Sequence, residues 1–146
     1  MFHGMNVSAS ALTSQRLRMD VTSANMANAE STRGRLVDGE WEPYRRKMVH
    51  MQTNGEQSFR NHFLQAQQAE TNGVKISRIM EDQTPFRLAY QPEHPDANED
   101  GYVELPNVDP LKEMMDLMSA TRSYEANVTT LDAQKSMLMR ALEIGR

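Results

Sequence analysis

Cysteine is absent from the 146 residues of this chain, which excludes disulfides, cysteine-ligated metals and thiol catalysis. Aromatic side chains are scarce: one Trp, four Phe and four Tyr, with hydrophobic residues at 38% and a mean hydropathy of -0.70. That is thin material for a large compact core; neighbouring copies or partners can supply the missing burial, and a self-contained enzyme is the less natural reading. No apolar run approaches the roughly 20 residues needed to cross a bilayer. Met1-Phe2-His3-Gly4 leads straight into a polar Ser/Ala-rich pattern rather than a cleavable signal peptide. If the protein leaves the cytoplasm, the expected route reads no such signal. Charge is also unremarkable, with a net -4 and both signs interspersed. The tight basic cluster Arg45-Arg46-Lys47 is too short to form a nucleic-acid surface, so no nucleic-acid partner is expected.

Catalytic and metal-binding patterns are missing too. His3, His50, His62 and His94 are scattered without metal-ligand spacing. There is no GxSxG, no Gly-rich phosphate loop and no HExxH. Glu81-Asp82 and Glu99-Asp100 are adjacent pairs, which a strand would point to opposite faces. Asp96-Ala97-Asn98-Glu99-Asp100-Gly101 matches the opening of an EF-hand loop, but its twelfth position is Asn107 and prolines 95 and 106 flank it. A polar turn with Gly101 at positive φ is the expected structure there. The reading is therefore no enzyme, no cofactor and no metal.

What the chain does carry is helical periodicity at both ends. Residues 5–30 read as a helix rich in Ala, Ser and Met, in which Met5, Leu12, Met19 and Met26 recur every seven residues. Arg16 and Ser23 interrupt this strip, and Ser31-Thr32-Arg33-Gly34 supplies turn chemistry after it. The twelve methionines suit irregular helix contacts. Near the other end, Asp109 is a helix N-cap with Pro110 at the first helical position, where a missing N–H costs nothing. From there Met114, Leu117, Thr121, Tyr124, Val128, Leu131, Lys135, Leu138 and Leu142 alternate spacings of three and four. This predicts a helix over 109–144, roughly 50 Å long at 1.5 Å per residue.

The middle, roughly residues 31–106, changes character, holding five of the six prolines and five of the seven glycines. Strand-like runs occur at 44–52 and 74–80, Phe86, Leu88 and Tyr90 alternate in a third, and 101–105 is a fourth. The Gln-rich stretch 56–72 is a polar insert whose structure the sequence leaves open. The resulting expectation is a mainly α chain with a small β-rich module. Residues 1–34 form an N-terminal helix and turn, 35–106 the β-rich module, and 107–146 a long C-terminal helix. A module of that size cannot cover so long a seam, so the two terminal helices are expected to pack as a coiled coil with the module inserted between them. The assembly interface is expected to comprise Met5, Leu12, Met19, Asn25 and Asn28 in the first helix, with Met114, Leu117, Tyr124, Val128, Leu131, Leu138 and Leu142 in the second.

Two stretches carry a resemblance. Ser23-Ala24-Asn25-Met26-Ala27-Asn28-Ala29-Glu30-Ser31-Thr32 resembles the Asn-x-x-Asn-x-x-Ser/Thr signature near the start of bacterial flagellar rod and hook proteins. Asn107-Val108-Asp109-Pro110 through Glu113-Met114, then Arg122-Ser123-Tyr124-Glu125-Ala126-Asn127, and Met137-Leu138 to Ala141-Leu142-Glu143-Ile144-Gly145 resemble the same family. The short chain and the Gly101-Tyr102-Val103 and Pro106-Asn107-Val108-Asp109 runs are similar to its proximal-rod members. The resemblance implies a structural subunit of the flagellar basal-body rod, serving motility. It implies export through the flagellar type III apparatus without a cleaved signal, and helical assembly with other rod proteins and copies of itself. Asn25 and Asn28 are expected to bond to backbone groups where the first helix ends. The alternatives are another rod paralogue or, from a different class, a cytoplasmic coiled-coil adaptor or export chaperone, which would stay soluble rather than co-purify with basal bodies.

Overall fold

The computed structural model describes residues 2–53 and 73–145, so the polar insert expected at 56–72 lies outside the described residues. Helix α1 (Phe2–Ala27) is followed by β1 (Arg35–Val37), β2 (Glu40–Glu42), β3 (Lys47–Thr53), β4 (Val74–Glu81), β5 (Arg87–Tyr90) and β6 (Tyr102–Leu105), and then by α2 (Pro110–Ile144). The protein is mostly helical with a small β part.

Helix α1 stops three residues before the expected boundary, in a series of tight turns: Asn28 N–H donates to the Ala24 carbonyl, Ala29 to Met26 and Ser31 to Asn28. The Asn28 side chain competes for the same helix end, its Nδ2 donating to the Ala24 carbonyl at 2.8 Å. Helix α2 starts where its sequence dictates. Asp109 Oδ1 accepts the Leu111 N–H at 3.0 Å, and the Asp109 carbonyl takes the first helical bond from Glu113. With no proline or glycine until Gly145, 35 residues continue unbroken to Ile144.

Among the described residues the β part consists of three two-stranded ribbons. The β1–β2 hairpin, which the strand reading passed over, turns on Asp38 (φ 52°) and Gly39 (φ 94°), the left-handed pair that a two-residue hairpin turn requires. Its register pairs Arg35 with Glu42, Leu36 with Trp41 and Val37 with Glu40. β3 pairs with β4. β5 and β6 pair antiparallel, with Leu88 opposite Glu104, Ala89 opposite Val103 and Tyr90 opposite Tyr102. Gly101, at φ 79°, enters β6 from a polar turn, the conformation expected of the EF-hand-like stretch. A side chain there would also meet the Tyr90 ring.

The described residues fall into two compact units, one drawn from Met1–Arg18, His50–Arg78 and Ser119–Arg146, the other from Met19–Val49 and Ile79–Met118. In the first, β4 begins directly against α1. The Val74 N–H donates to Ser10 Oγ at 3.1 Å, and Ser14 Oγ donates to the Val74 carbonyl at 3.4 Å. Gly73 lies so close to Ser10 that a Cβ has no room. Gly4 likewise abuts the Gln134 carboxamide. In the second unit, Val21, Ala29, Val103 and Val108 are buried around a polar centre.

The buried stripes differ from the apolar ones. On α1 the buried residues are Ser8, Ser14, Val21, Thr22 and Asn25, short or polar side chains within one arc of the helix, while Met5, Leu12, Met19 and Met26 sit half-buried on its shoulder. On α2 the covered stripe runs Glu113, Leu117, Ala120, Tyr124, Asn127, Leu131, Gln134 and Leu138. It shares every second position with the most apolar seam and replaces the positions between. Met114, Thr121, Lys135 and Leu142 of that seam are exposed.

Candidate assembly site at the end of the first helix

Asn25 sits near the end of α1, 1% exposed, with its carboxamide fully used. Its Oδ1 accepts the Lys47 N–H at 2.9 Å and the Tyr44 hydroxyl at 3.0 Å. Its Nδ2 donates to the Lys47 carbonyl at 2.8 Å and to Glu113 Oε2 at 3.0 Å. Two acceptor and two donor positions are all that an amide side chain offers. Asn25 thus completes the backbone pairing of β3 at Lys47 as a strand neighbour would, while holding the first turns of α2.

Glu113 is equally buried, and its other oxygen, Oε1, accepts Arg46 Nε at 2.6 Å. A carboxylate in that position is tolerated because a guanidinium and an amide both donate to it. The Arg46 guanidinium also lies 3.7 Å from Asp82 and 3.7 Å from Asp116. The Arg46 backbone is held as well. Its N–H donates to Asn107 Oδ1 at 2.9 Å, and its carbonyl accepts the Asp82 N–H at 2.8 Å. Asn107 Nδ2 in turn reaches the Asp82 and Thr84 carbonyls at 3.1 and 3.2 Å. A second tie joins Thr32 and Arg33 to Asp96, with Arg33 donating through both Nε and Nη2 to Oδ1, at 3.0 and 2.6 Å.

Electrostatics follow this geometry. Burial, with the Glu113 and Glu81 carboxylates nearby, raises the Tyr44 phenol above its ordinary value. The Thr84 N–H lowers the Asp82 carboxyl, with the Thr84 hydroxyl and the Arg46 and Lys112 charges adding to it. Arg33, then Thr32, lowers Asp96. No His/Cys/Asp/Glu group able to hold a metal occurs among the described residues. The arrangement is a structural clasp, in which the Asn25 amide and the Arg46 Nε each donate to the buried Glu113 carboxylate.

Of the residues expected at the assembly interface, Asn25 lies at the centre of this clasp and makes tertiary bonds to the Lys47 backbone. Asn28 makes the local helix-end bond. Met5, Leu12, Met19, Leu117, Tyr124, Val128, Leu131 and Leu138 are half-buried, and Met114 and Leu142 are exposed. Sequence reasoning did not assign Tyr44, Arg46, Lys47, Asn107 or Glu113 to the site. Arg46 and Lys47 were visible as a basic cluster inside a strand. Glu113 was a charge beside an apolar seam, which ordinarily means a solvated position.

Comparison with known proteins matches two family models to this chain: "Flagella basal body rod protein" over residues 5–34, and "Flagellar basal body rod FlgEFG protein C-terminal" over residues 99–144. The chain is 60% identical to the flagellar basal-body rod protein FlgC of Bacillus subtilis (strain 168), covering 99% of this chain and 98% of that protein. This chain belongs to the FlgC family. Its similarity extends to FlgC of Escherichia coli O6:H1, 43% identical over 97% of this chain and 95% of that one. FlgC of Borreliella burgdorferi is 39% identical over 99% and 97%. As a FlgC-family member the protein is a structural subunit of the flagellar basal-body rod, not an enzyme. The clasp acquires a place in that family: Asn25 lies in the first matched segment, Asn107, Asp109 and Glu113 in the second, and Tyr44, Arg46 and Lys47 between them bridge the two.

Proposed function

We propose that this rod subunit assembles through its two terminal helices with other rod proteins and with copies of itself, and that the clasp around Asn25 sets the helices for that contact. The observation that carries the reading is the uncovered apolar surface of α2. Leu111, Met114, Met115 and Met118 in one unit, and Met137, Met139, Leu142 and Ile144 in the other, are each at least 47% exposed. A chain with so few large hydrophobic residues does not leave these eight in water without a partner to cover them.

Within the subunit, α1 and α2 pack side by side as a coiled coil. Asn25 bonded to Glu113 in one unit, and Gly4 beside Gln134 in the other, support this, each being a contact between the two helices. Small α1 residues at the contact allow close approach of the backbones. The functional division is the helix and turn of 1–34, the β-rich 35–106 and the helical 107–146. A helix pair with a thin, polar seam is marginal alone. Such a chain passes unfolded through the flagellar type III apparatus and recovers its ordering cost from subunit contacts.

Deletion of the gene tests this, with complementation by the full chain and by one lacking residues 108–146. Loss of swimming and of assembled rods, restored by the full chain alone, is the expected result. Intact rods without the chain would refute the assignment.

A further inference from the structure

Methionine is sorted by element in this chain. Among the described residues, Met5, Met19 and Met26 of α1 and Met48, Met51 and Met80 of the strands are half-buried, whereas Met114, Met115, Met118, Met137 and Met139, all on α2, are exposed. Leu111, Met114, Met115 and Met118 stand at i, i+3, i+4 and i+7, so they line one face of that helix over two turns. They expose between 47% and 65% of their surface. The chain has no cysteine to take up oxidant ahead of them. The soft, polarizable sulfurs most open to solvent in the folded subunit therefore lie on the face proposed above as its assembly surface.

We propose that Met114, Met115 and Met118 form an oxidation site through which peroxide controls assembly of the subunit. A sulfur lone pair attacks one oxygen of hydrogen peroxide. The S–O bond forms as the O–O bond breaks, the departing hydroxide takes the proton from the transferred oxygen, and water leaves. Sulfur loses an electron pair and the peroxide gains it. The product is methionine sulfoxide, a polar group in place of an apolar one. A sulfoxide oxygen buried at a subunit contact without a donor is costly, so the modified face stays in water. The subunit's own fold is spared, because the residues buried in that stretch of α2 are Glu113 and Ala120. A dithiol reductase reverses the change, its thiols closing to a disulfide while the oxygen leaves as water. Only the unassembled subunit is open to oxidation, since assembly covers the face. Resting on the reading of α2 as the assembly surface, this adds a regulation of that same site.

The test compares each chain with itself, with and without sublethal hydrogen peroxide, in cells lacking methionine sulfoxide reductases and their own copy of the gene. Peroxide is expected to lower the wild-type chain's content in purified basal bodies by about tenfold or more. A chain carrying Met114→Leu, Met115→Leu and Met118→Leu has an apolar face with no oxidisable sulfur, and its content is expected not to respond to peroxide. Peptide mass spectrometry gives a second readout. Sulfoxide at Met114, Met115 and Met118 is expected in wild-type chain left outside the rods and not in chain within them. Met114→Gln, Met115→Gln and Met118→Gln together place polar groups on the face and are expected to lower incorporation without peroxide. Far-UV circular dichroism of that purified chain separates misfolding from lost contact. Equal peroxide sensitivity of the wild-type and leucine chains overturns the proposal, as does sulfoxide at these positions within assembled rods or undiminished incorporation of the glutamine chain. Failure of the unmodified chain to enter basal bodies without peroxide would instead overturn the rod reading itself.

Discussion

Asn25 Nδ2 and Glu113 Oε2 are 3.0 Å apart, joining the last turns of α1 to the first turns of α2 across 88 residues of sequence. The bond is buried, and the same two side chains hold Lys47, Tyr44 and Arg46. Removing any member therefore strands others away from water.

Asn25→Ala leaves the Lys47 N–H and carbonyl, the Tyr44 hydroxyl and one Glu113 oxygen short of a partner. The expected loss is about 3 kcal/mol or more, measured by chemical denaturation of the purified chain. Asn25→Asp is expected to be worse than the alanine variant, because it places a second carboxylate against Glu113 and removes both donors. Equal stability of the two variants would contradict the assigned amide orientation.

Breaking the buried ion pair from one side is expected to cost about 3–5 kcal/mol, whether by Glu113→Leu or Arg46→Met. The double variant is expected to be less destabilised than the sum of the two, since neither charge is then stranded. Simple additivity in this cycle would show that the pair contributes little.

Tyr44 provides a pH signature. Its phenol is held above the ordinary value by burial, so the folded state favours the protonated form. The stability this contributes is fully present below the unfolded tyrosine value of about 10 and is lost as pH rises through the folded value. Denaturation midpoints of the wild-type chain and Tyr44→Phe, followed from about pH 8 upward, should therefore differ most at the start and converge in strong alkali. A constant gap would dissociate the hydroxyl from the clasp.

Close approaches give a steric test. A Cβ at Gly34 would stand 2.6 Å from the Tyr44 backbone, which has no rotamer with which to yield. Gly34→Ala should thus destabilise by about 1–3 kcal/mol. At Gly73 the obstacle is the Ser10 side chain, so Gly73→Ala should be partly relieved by Ser10→Ala, within the limit set by the lost Val74 bond. Denaturation of the two singles and the double checks this.

Helix α2 separates folding from assembly. Leu131 and Leu138 lie on the covered stripe, and Leu131→Asp with Leu138→Asp is expected to abolish rods and swimming while leaving expression intact. Leu142 is 73% exposed, so Leu142→Asp should leave the purified chain's stability within about 0.5 kcal/mol of wild type yet reduce its incorporation into basal bodies. Unchanged incorporation would remove Leu142 from the interface.

Legibility from sequence followed the range of the interactions. The start of α2 was readable because Asp109 and Pro110 act on their own backbone neighbours, and its length because nothing interrupts it before Gly145. Strands β3 to β6 were found from local alternation, to within a few residues at their ends. The β1–β2 hairpin was missed even though Asp38-Gly39 is its signal, because strands of three residues carry little periodicity. The seams were half legible. Apolar counting found Leu117, Tyr124, Leu131 and Leu138, but chose Met114 and Thr121 where the chain covers Glu113 and Ala120.

That difference shows where local sequence stops deciding. Composition, capping, turn residues and the two terminal motifs determined a mostly helical rod subunit with a small β part, because each acts through neighbouring residues or through family likeness. Which side of each helix is covered was decided only by the tertiary structure. Glu113 is buried because Arg46 and Asn25, distant in sequence, converge on it, and Asn25 leaves the helix-end role for the Lys47 backbone because β3 runs beside it. A buried charge is stable only where its partners are already in place, and the chain brings those partners together only when it folds.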